Sequence, residues 1–302
     1  MRIASLLPSA TELLFAVGAG AEVVGVTHEC DHPEAARRLP ALTADLLDNG
    51  GRSAAAIDRH IRAALHQGSA VYALDEHLLA ELRPDLIVTQ ELCEVCAVGY
   101  GEVERAARRL PGEVPVLSLE PESLDDVLAT VLVVGRVSGH ESEAEALRDR
   151  LAARIAAVAA RPPIVPTPRV ACIEWTDPLM AGGHWVPEMV ELAGGRDVLG
   201  RAGERSSCVD WDAVVRSEPE LMVLMPCGYD LEATLARAAD VTGRPGFDGL
   251  PCARSGRVAA VDGSGYFNRP GPRLVDGLEM LATIARAVRG DALPPGAAWV
   301  SI

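Results

Sequence analysis

Two short segments of this sequence carry side chains that could bind a metal ion or a cofactor. The first, "THECDH", places His28 and Cys30 directly after the apolar run "EVVGV". The second, "QELCEVC", places Cys93 and Cys96 at Cys-x-x-Cys spacing after the apolar run "DLIV". Two thiolates at that spacing, together with an imidazole and a third thiolate, suit tetrahedral zinc.

The residues alone leave several interpretations of these four side chains open. Cysteine is among the most buried residue types and packs as a small apolar side chain, so a purely structural role is one of them. The four side chains could instead line a ligand-binding surface. A dedicated metal site is the weaker alternative, because zinc sites usually show two such pairs or a histidine pair. A redox-active pair is also open, since such pairs begin a helix after a strand.

The arrangement of apolar runs predicts where these segments lie. Strand-like runs alternate with amphipathic helical patterns, which is typical of α/β units with parallel sheets. The alternation occurs twice, separated by a long helical pattern from "PESLDD" to "AARPP" that is interrupted at Gly139. We therefore predict an α/β lobe over residues 1–140, a single long helix over 141–162 and a second α/β lobe over 163–302, with a ligand cleft between the lobes. Ligands meet the carboxyl ends of parallel strands, and both cysteine segments follow strands.

Composition excludes several classes of function. The chain has 302 residues, of which 49% are hydrophobic, and a formal net charge of −15, which argues against nucleic-acid binding. No apolar run has the length of a membrane span. No nucleophile elbow, zinc-protease motif or phosphate loop is present. The seven cysteines form no small-domain disulfide pattern, which favours reduced thiols.

The N-terminus "MRIASLLPSATELL" leads directly into a predicted strand. It has no basic region, no long apolar region and no small-residue cleavage site. We therefore expect a cytoplasmic protein, with an extracytoplasmic location as the alternative if the true N-terminus is missing.

Five segments resemble the class III substrate-binding proteins, which have a helical backbone between their lobes. They are "SLLPSATELLFAVGAGAEVVGVTHECDHP", "ELRPDLIVTQ", "WTDPLMAGGHWVPEMVELAGG", "CVDWDAVVRSEPELMVLM" and "DGSGYFNRPGPRLVDGL". Within that class the chain is most similar to the cobalamin-binding proteins of vitamin B12 uptake. The resemblance implies non-catalytic binding of cobalamin or a related corrinoid, and delivery to an ABC permease or to a corrinoid-accepting protein. The "HECDH" and "CEVC" segments depart from the exported members.

The resemblance also implies roles for individual residues. Trp211, Tyr266 and Phe267 match pocket positions, where flat aromatic side chains would cover a corrin ring. Acids on each lobe dock exported members on their permease, and Glu76 and Asp212 lie at or near those positions. Both acids also lie near predicted helix starts, where a carboxylate stabilises the helix dipole. Further candidate ligand contacts lie in matching segments: Trp175, His184, Trp185 and Arg269.

Two other functions remain as alternatives. A haem, siderophore or metal-ion binding protein would need axial ligands such as His28 or Cys30, whereas cobalamin brings its own lower base. A corrinoid-processing enzyme would use Cys93 or Cys96 as redox groups, and it would show turnover.

Overall fold

The computed structural model describes residues 1–46, 52–66, 71–90 and 98–302. The chain divides into two compact units, which we describe separately. Unit 1 comprises residues 1–121 and 125–150, and unit 2 comprises residues 122–124 and 151–302. The boundaries that we predict at residues 140 and 162 stay a prediction.

Unit 1 is built on a parallel sheet, as predicted. Its four strands have the order β2-β1-β5-β6, every neighbouring pair is parallel, and each coincides with an apolar run that the sequence marks as a strand. The strands β3 and β4 form a separate antiparallel pair that we did not predict. The elements of this part of the chain are β1 (Ile3–Ser5), α1 (Pro8–Ala16), β2 (Val23–Gly25), β3 (Thr43–Asp45), α2 (Ala54–His66), β4 (Tyr72–Leu74), α3 (Glu76–Leu82), β5 (Leu86–Thr89), α4 (Tyr100–Ala107), β6 (Val116–Ser118), α5 (Leu124–Ser138) and α6 (Glu141–Ala159).

The first helix begins two residues earlier than a cap at Ser9 would place it. The sequence predicts Ser9 or Thr11 as the N-cap, but Leu7 is the N-cap residue and it makes no side-chain capping bond. Pro8 occupies the first turn, where its fixed φ suits a helix and its missing N–H costs nothing. Ser9 and Thr11 are therefore inside the helix, and both are buried beside the carboxyl end of β1.

The long helical pattern in the middle of the chain forms two helices. Gly139 separates α5 from α6 and has φ +75°, a conformation that favours glycine. The interruption that the sequence predicts at this residue is confirmed. The boundary between the two units, at Arg150 and Leu151, falls inside α6.

Unit 2 contains a larger, mixed sheet. Its strands have the order β10-β8-β7-β11-β12-β13, with β9 paired to β7. The central strands β7, β11 and β12 are parallel and match the predicted runs, whereas the antiparallel strands β8, β10 and β13 were not predicted. The elements are β7 (Arg169–Thr176), β8 (Leu179–Ala181), α7 (Val186–Leu192), β9 (Arg196–Asp197), β10 (Ser207–Cys208), α8 (Trp211–Ser217), β11 (Leu221–Leu224), α9 (Leu231–Arg237), α10 (Ala239–Thr242), α11 (Pro251–Ser255), β12 (Val258–Val261), α12 (Gly263–Tyr266), α13 (Arg273–Ile284) and β13 (Ala297–Trp299).

Each unit has an apolar core of its own. The core of unit 1 includes Leu6, Ile87 and Val103, and that of unit 2 includes Met222 and Phe247. These side chains come from strands and from the helices that cover them, so burial of apolar surface holds each sheet to its helices. Among the described residues, no helix combines the length and the apolar character that crossing a membrane requires.

Candidate functional site

Buried polar side chains in unit 1 are concentrated at the carboxyl ends of its parallel strands. Seven of them follow the carboxyl ends of β1, β2 and β5, and the eighth, Thr43, contacts the segment after β2. A buried polar group costs free energy unless it is hydrogen-bonded, so such a concentration needs a reason. We name these eight residues the polar edge: Ser5, Ser9, Thr11, Glu12, Thr27, Thr43, Thr89 and Gln90.

Cys30 lies within the polar edge and is only 4% exposed. Its Sγ lies 3.1 Å from Thr11 Oγ1 and 3.1 Å from Thr27 Oγ1. Thr11 Oγ1 in turn donates to Ser5 Oγ at 2.8 Å. Cys30 therefore ties the loop after β2 to α1 and β1, which is a structural role in a buried network.

His28 lies on the exposed side of the same loop, with a quarter of its side-chain surface accessible. Its Nδ1 lies 2.8 Å from Thr43 Oγ1, and its backbone N–H donates to the same oxygen at 3.2 Å. The ring packs against Tyr72 with centroids 5.4 Å apart. These contacts fix the ring, so Nε2 is the atom left for a ligand, although Glu29 Oε1 lies 3.6 Å from it.

Two hydroxyls of the polar edge have no hydrogen-bond partner among the described residues. They are Ser9 Oγ, in a residue that is 2% exposed, and Thr89 Oγ1, in a residue that is fully buried. Each is a hydrogen-bonding group at the carboxyl end of the sheet that some other polar group would stabilise.

In unit 2, the loops that follow β7, β11 and β12 meet at the carboxyl ends of these strands. Cys227 N–H donates to Glu174 O at 3.0 Å, and Ser264 N–H donates to Tyr229 O at 3.0 Å. Trp175 packs edge-on against Tyr229, with ring centroids 5.5 Å apart. The aromatic pair Trp175 and Tyr229 is half-buried, so both rings keep some accessible surface for a flat apolar ligand.

A half-buried carboxylate, Glu174, adjoins this aromatic pair. Its Oε2 accepts from Ser206 Oγ at 2.7 Å, and the backbone N–H of Gly183 also stabilises it. Burial still raises the pKa of Glu174, because desolvation of the charged form outweighs these hydrogen bonds. The carboxyl is therefore easier to protonate than an exposed one.

His184 has φ +51°, which is uncommon for a residue with a side chain. Its backbone N–H donates to Glu204 O at 2.6 Å, and its Nε2 is buried without a hydrogen-bond partner among the described residues. Burial lowers the pKa of His184, which favours the neutral ring.

Trp185 and Phe267 lie in the interior. Trp185 is 5% exposed and Phe267 is 1% exposed. The indole N–H of Trp185 donates to Phe267 O at 2.8 Å. The two side chains thus support the loops around His184 and Tyr266 from behind, and they offer little surface to a ligand.

Trp211 makes contacts through both the edge and the face of its indole ring. Its indole N–H donates to Pro245 O at 2.7 Å, and the guanidinium of Arg244 lies 5.6 Å from the ring centroid. The ring also packs against the core of unit 2. These contacts give Trp211 a structural role, and its role in ligand binding stays a prediction.

Tyr266 and Arg269 follow β12. The guanidinium of Arg273 lies 5.8 Å from the centroid of the Tyr266 ring. Arg269 and Arg273 both act electrostatically on Asp262, whose carboxyl nevertheless has a raised pKa because it is partly buried. Tyr266, at the end of α12, and Arg269, just after it, therefore lie in a mixed-charge segment, and their ligand contacts stay predictions.

The two predicted docking acids both lie in first turns of helices. Glu76 begins α3 and accepts from Arg109 NH1 at 2.6 Å. Asp212 lies in the first turn of α8 and is exposed. The structure is consistent with the helix-dipole interpretation of both acids, and it does not test docking.

Cys93 and Cys96 lie outside the described residues, so the predicted group of His28, Cys30, Cys93 and Cys96 stays a prediction. Within the described ranges, no three His, Cys, Asp or Glu side chains are grouped to hold a metal ion. The residues that sequence reasoning missed are Thr43, Glu174, Ser206 and Tyr229. Only Tyr229 gave a sequence signal, because aromatic residues are rare in this chain.

Comparison with known proteins identifies relatives of the whole arrangement. The periplasmic binding protein family matches residues 3–264. The vitamin B12-binding protein of Yersinia pestis (strain Pestoides F) is 25% identical over 226 residues, which cover 74% of this chain and 69% of that protein.

Solved structures show the same fold with different named ligands. The periplasmic heme-binding protein RhuT from Roseiflexus sp. RS-1 has a TM-score of 0.70 at 23% identity, covering 94% of this chain and 97% of that one. The periplasmic vitamin B12 binding protein BtuF of Vibrio cholerae has a TM-score of 0.65 at 19% identity, covering 94% and 96%. The resemblance that the sequence indicates, and the two-lobe α/β fold that it implies, are confirmed.

The expectation of a cytoplasmic protein is wrong. The matched family consists of periplasmic binding proteins, and both structural relatives carry that description. These findings point to an extracytoplasmic protein. The prediction failed because it relied on the absence of export features from one N-terminus, which is weaker than a match over most of the chain.

Proposed function

We propose that this chain, which belongs to the periplasmic binding protein family by its match over residues 3–264, is an extracytoplasmic receptor for a cobalamin-like corrinoid. It binds the ligand without changing it and delivers it to an ABC permease. Members of the family are solute-binding proteins rather than enzymes. The relatives include proteins named for vitamin B12 and for haem, so the choice of ligand is the part that needs an argument.

The observation that carries the choice is the state of the candidate axial ligands. A haem iron needs a side-chain donor such as histidine, cysteine or tyrosinate, whereas cobalamin brings its own lower base. Cys30 is buried and lies between two threonine hydroxyls.

His28 is the described donor nearest to availability. The Thr43 hydroxyl can donate to Nδ1 while it accepts the backbone N–H of His28. In either tautomer Nε2 lies 3.6 Å from Glu29 Oε1, so a carboxylate already neighbours the atom that would ligate iron. His28 is suited to a hydrogen bond with an amide on the rim of a corrin.

The aromatic pair of unit 2 fits the same ligand. Trp175 and Tyr229 are half-buried and offer flat apolar surface, which suits the broad apolar face of a corrin. Glu76 and Asp212 remain the proposed docking acids. Contact of Glu76 with a permease would have to replace its ion pair with Arg109.

The test is an absorption titration of the purified protein with cyanocobalamin, dicyanocobinamide and haemin. We expect one equivalent of a corrinoid to bind, and its spectrum to keep the bands of its own axial ligands. A Soret shift that saturates at one haemin per chain, together with no corrinoid binding, would contradict the proposal. No binding of any of the three would remove the tetrapyrrole class altogether.

The variant Trp175→Ala tests the proposed contact residue in the same titration, and Trp299→Ala is its matched control. Each indole is half-buried and donates to a nearby backbone carbonyl at 3.0 Å, to Asp177 O and to Asp291 O respectively. Trp175 lies towards the carboxyl end of β7, whereas Trp299 pairs with Ala259 near the start of β12. We expect Trp175→Ala to weaken corrinoid binding by ~1–3 kcal/mol, the range for a contact aromatic, and Trp299→Ala to leave it unchanged.

A further inference from the structure

Unit 2 contains a cavity at the amino end of β7, away from the aromatic pair Trp175 and Tyr229. It has a volume of about 460 Å³ and is open to solvent. Its walls come from the first residue of β7, from β9 and from the last turn of α8. Trp175 lies six residues later in β7, so this cavity is at the opposite end of that strand.

Three arginines from three different elements line the cavity: Arg169, Arg196 and Arg216. Arg169 is anchored, because its Nε donates to Glu218 O at 2.8 Å and one terminal nitrogen lies 3.9 Å from Glu220. Within the described part of the chain, the guanidinium groups of Arg196 and Arg216 make no hydrogen bond or ion pair, and both residues are exposed. Arginine presents a planar fork of donors that matches phosphate oxygens.

Two acids also line the cavity, Asp197 and Glu218. Asp197 Oδ1 accepts from the backbone N–H groups of Leu199 and Gly200 at 2.8 and 2.7 Å, so it is turned toward its own loop. Glu220 lies 3.9 Å from Arg169 and offsets part of its charge. The donors left for an anion are therefore the guanidinium groups of Arg196 and Arg216, in a protein whose net charge is −15.

Arg216 also has a simpler role, because a cation in the last turn of a helix stabilises the helix dipole. That role alone does not explain why it shares a cavity with Arg169 and Arg196. Arg254 has the same position in α11, is exposed and lies outside this cavity. Arg254 is therefore the residue with which to separate the two explanations.

We propose that this arginine-lined cavity binds a small phosphate-type anion. The inference is independent of the corrinoid proposal, because it uses no residue of the polar edge or of the aromatic pair. Arg169 supplies an anchored donor, and Arg196 and Arg216 are exposed on the other walls. Arginine side chains from three elements around one cavity suit a phosphate-type anion better than a neutral ligand.

The test is calorimetric titration with inorganic phosphate and with pyrophosphate at constant ionic strength set with chloride. We expect saturable binding to one site, with pyrophosphate tighter than phosphate. Removing one charge-assisted hydrogen bond weakens binding by roughly tenfold. Arg196→Ala and Arg216→Ala should each show this loss, and Arg254→Ala should bind like the unchanged protein.

Arg216→Lys keeps the charge at the helix end and removes the planar fork, so it guards against a variant that merely misfolds. We expect Arg216→Lys to keep the melting temperature and to lose part of the pyrophosphate affinity. Equal affinity in the unchanged protein and in an Arg196→Ala, Arg216→Ala double variant would overturn the proposal. So would heats that follow ionic strength rather than the identity of the anion, or binding only of an acidic peptide such as oligoglutamate.

Discussion

The contacts of Trp211 predict that replacing it will cost stability, whether or not the ring also contacts a ligand. Trp211→Ala removes the indole N–H that donates to Pro245 O at 2.7 Å and the ring face on which Arg244 lies. It also removes the part of the ring that packs against the core of unit 2. None of these three contacts involves the residues that we propose to touch the ligand.

The magnitude can be worked from these contacts. Loss of the hydrogen bond costs about 1 kcal/mol, and loss of the cation–π contact costs ~0.5–1 kcal/mol. A fully buried tryptophan replaced by alanine costs ~3–5 kcal/mol, and Trp211 is only partly buried, so the packing loss is about 1–2 kcal/mol. The free energy of unfolding should fall by about 3 kcal/mol in total. For a unit of this size that lowers Tm by roughly 6–12 °C.

The assay has two arms. Thermal and urea unfolding of the free protein measures the stability loss, and titration with cyanocobalamin well below the new Tm measures affinity. Trp211→Phe serves as an intermediate variant, because it keeps most of the ring and loses only the N–H donor. We expect it to cost about 1 kcal/mol, in line with one hydrogen bond.

The reasoning would be refuted by the opposite pattern. If Trp211→Ala lowers Tm by less than about 2 °C while cobalamin affinity falls tenfold or more, the ring contacts ligand and the intramolecular contacts are incidental. If both stability and affinity fall in Trp211→Phe, the Pro245 contact positions a ligand group, and the role of Trp211 would be both structural and functional.

Two further predictions concern unit 2. Arg154 donates to both Glu279 carboxylate oxygens, at 2.9 and 2.7 Å, and this contact lowers the pKa of Glu279. Because the carboxyl is partly exposed, Arg154→Met should lower the free energy of unfolding by only about 1 kcal/mol at pH 7. A lowered pKa gives its full stabilisation only above the unfolded pKa, which is near 4.3 for glutamate. In urea unfolding, the difference in free energy of unfolding between the unchanged protein and Arg154→Met should therefore shrink as pH falls from 5 to 3. The exposed Arg150→Met should show no such trend. A Cβ added to Gly183 would lie 2.3 Å from the backbone N of Ser206, so Gly183→Ala should lower stability by ~1–3 kcal/mol in thermal unfolding. Gly249→Ala meets no atom within 4 Å and should be nearly neutral; equal losses in both variants would contradict the steric argument.

The parallel strands could be predicted because their sequences are nearly continuous apolar runs. The run "LIVT" at β5 and the run "LMVL" at β11 are buried at every residue, as central strands of covered sheets are. Two very short strands, one antiparallel and one parallel to its neighbour, could not be predicted in the same way. Ser207–Cys208 and Arg196–Asp197 are two residues long and are defined by pairing with a neighbouring strand rather than by a local pattern.

The aromatic residues show the same division between local and tertiary information. Trp211 stands at a helix start between two acids, which favours an accessible ring, yet its partners Arg244 and Pro245 come from a loop more than thirty residues away. Trp185 is buried because Phe267, 82 residues later, accepts its N–H. Neither partner can be identified from spacing, so sequence alone could nominate these rings but could not say which faces are covered.

The segment "HEC" after β2 shows that side chains close together in sequence can lie in different environments in the fold. As a sequence, "HEC" offers an imidazole and a thiol to a metal. In the fold, the thiol turns inward to Thr11 on α1, and the imidazole turns outward with Nδ1 held by Thr43 on β3. Because the two side chains point to different environments, they cannot act together on one metal ion without rebuilding the loop. A corrinoid, which carries its own axial groups, is a ligand that would require no such rebuilding.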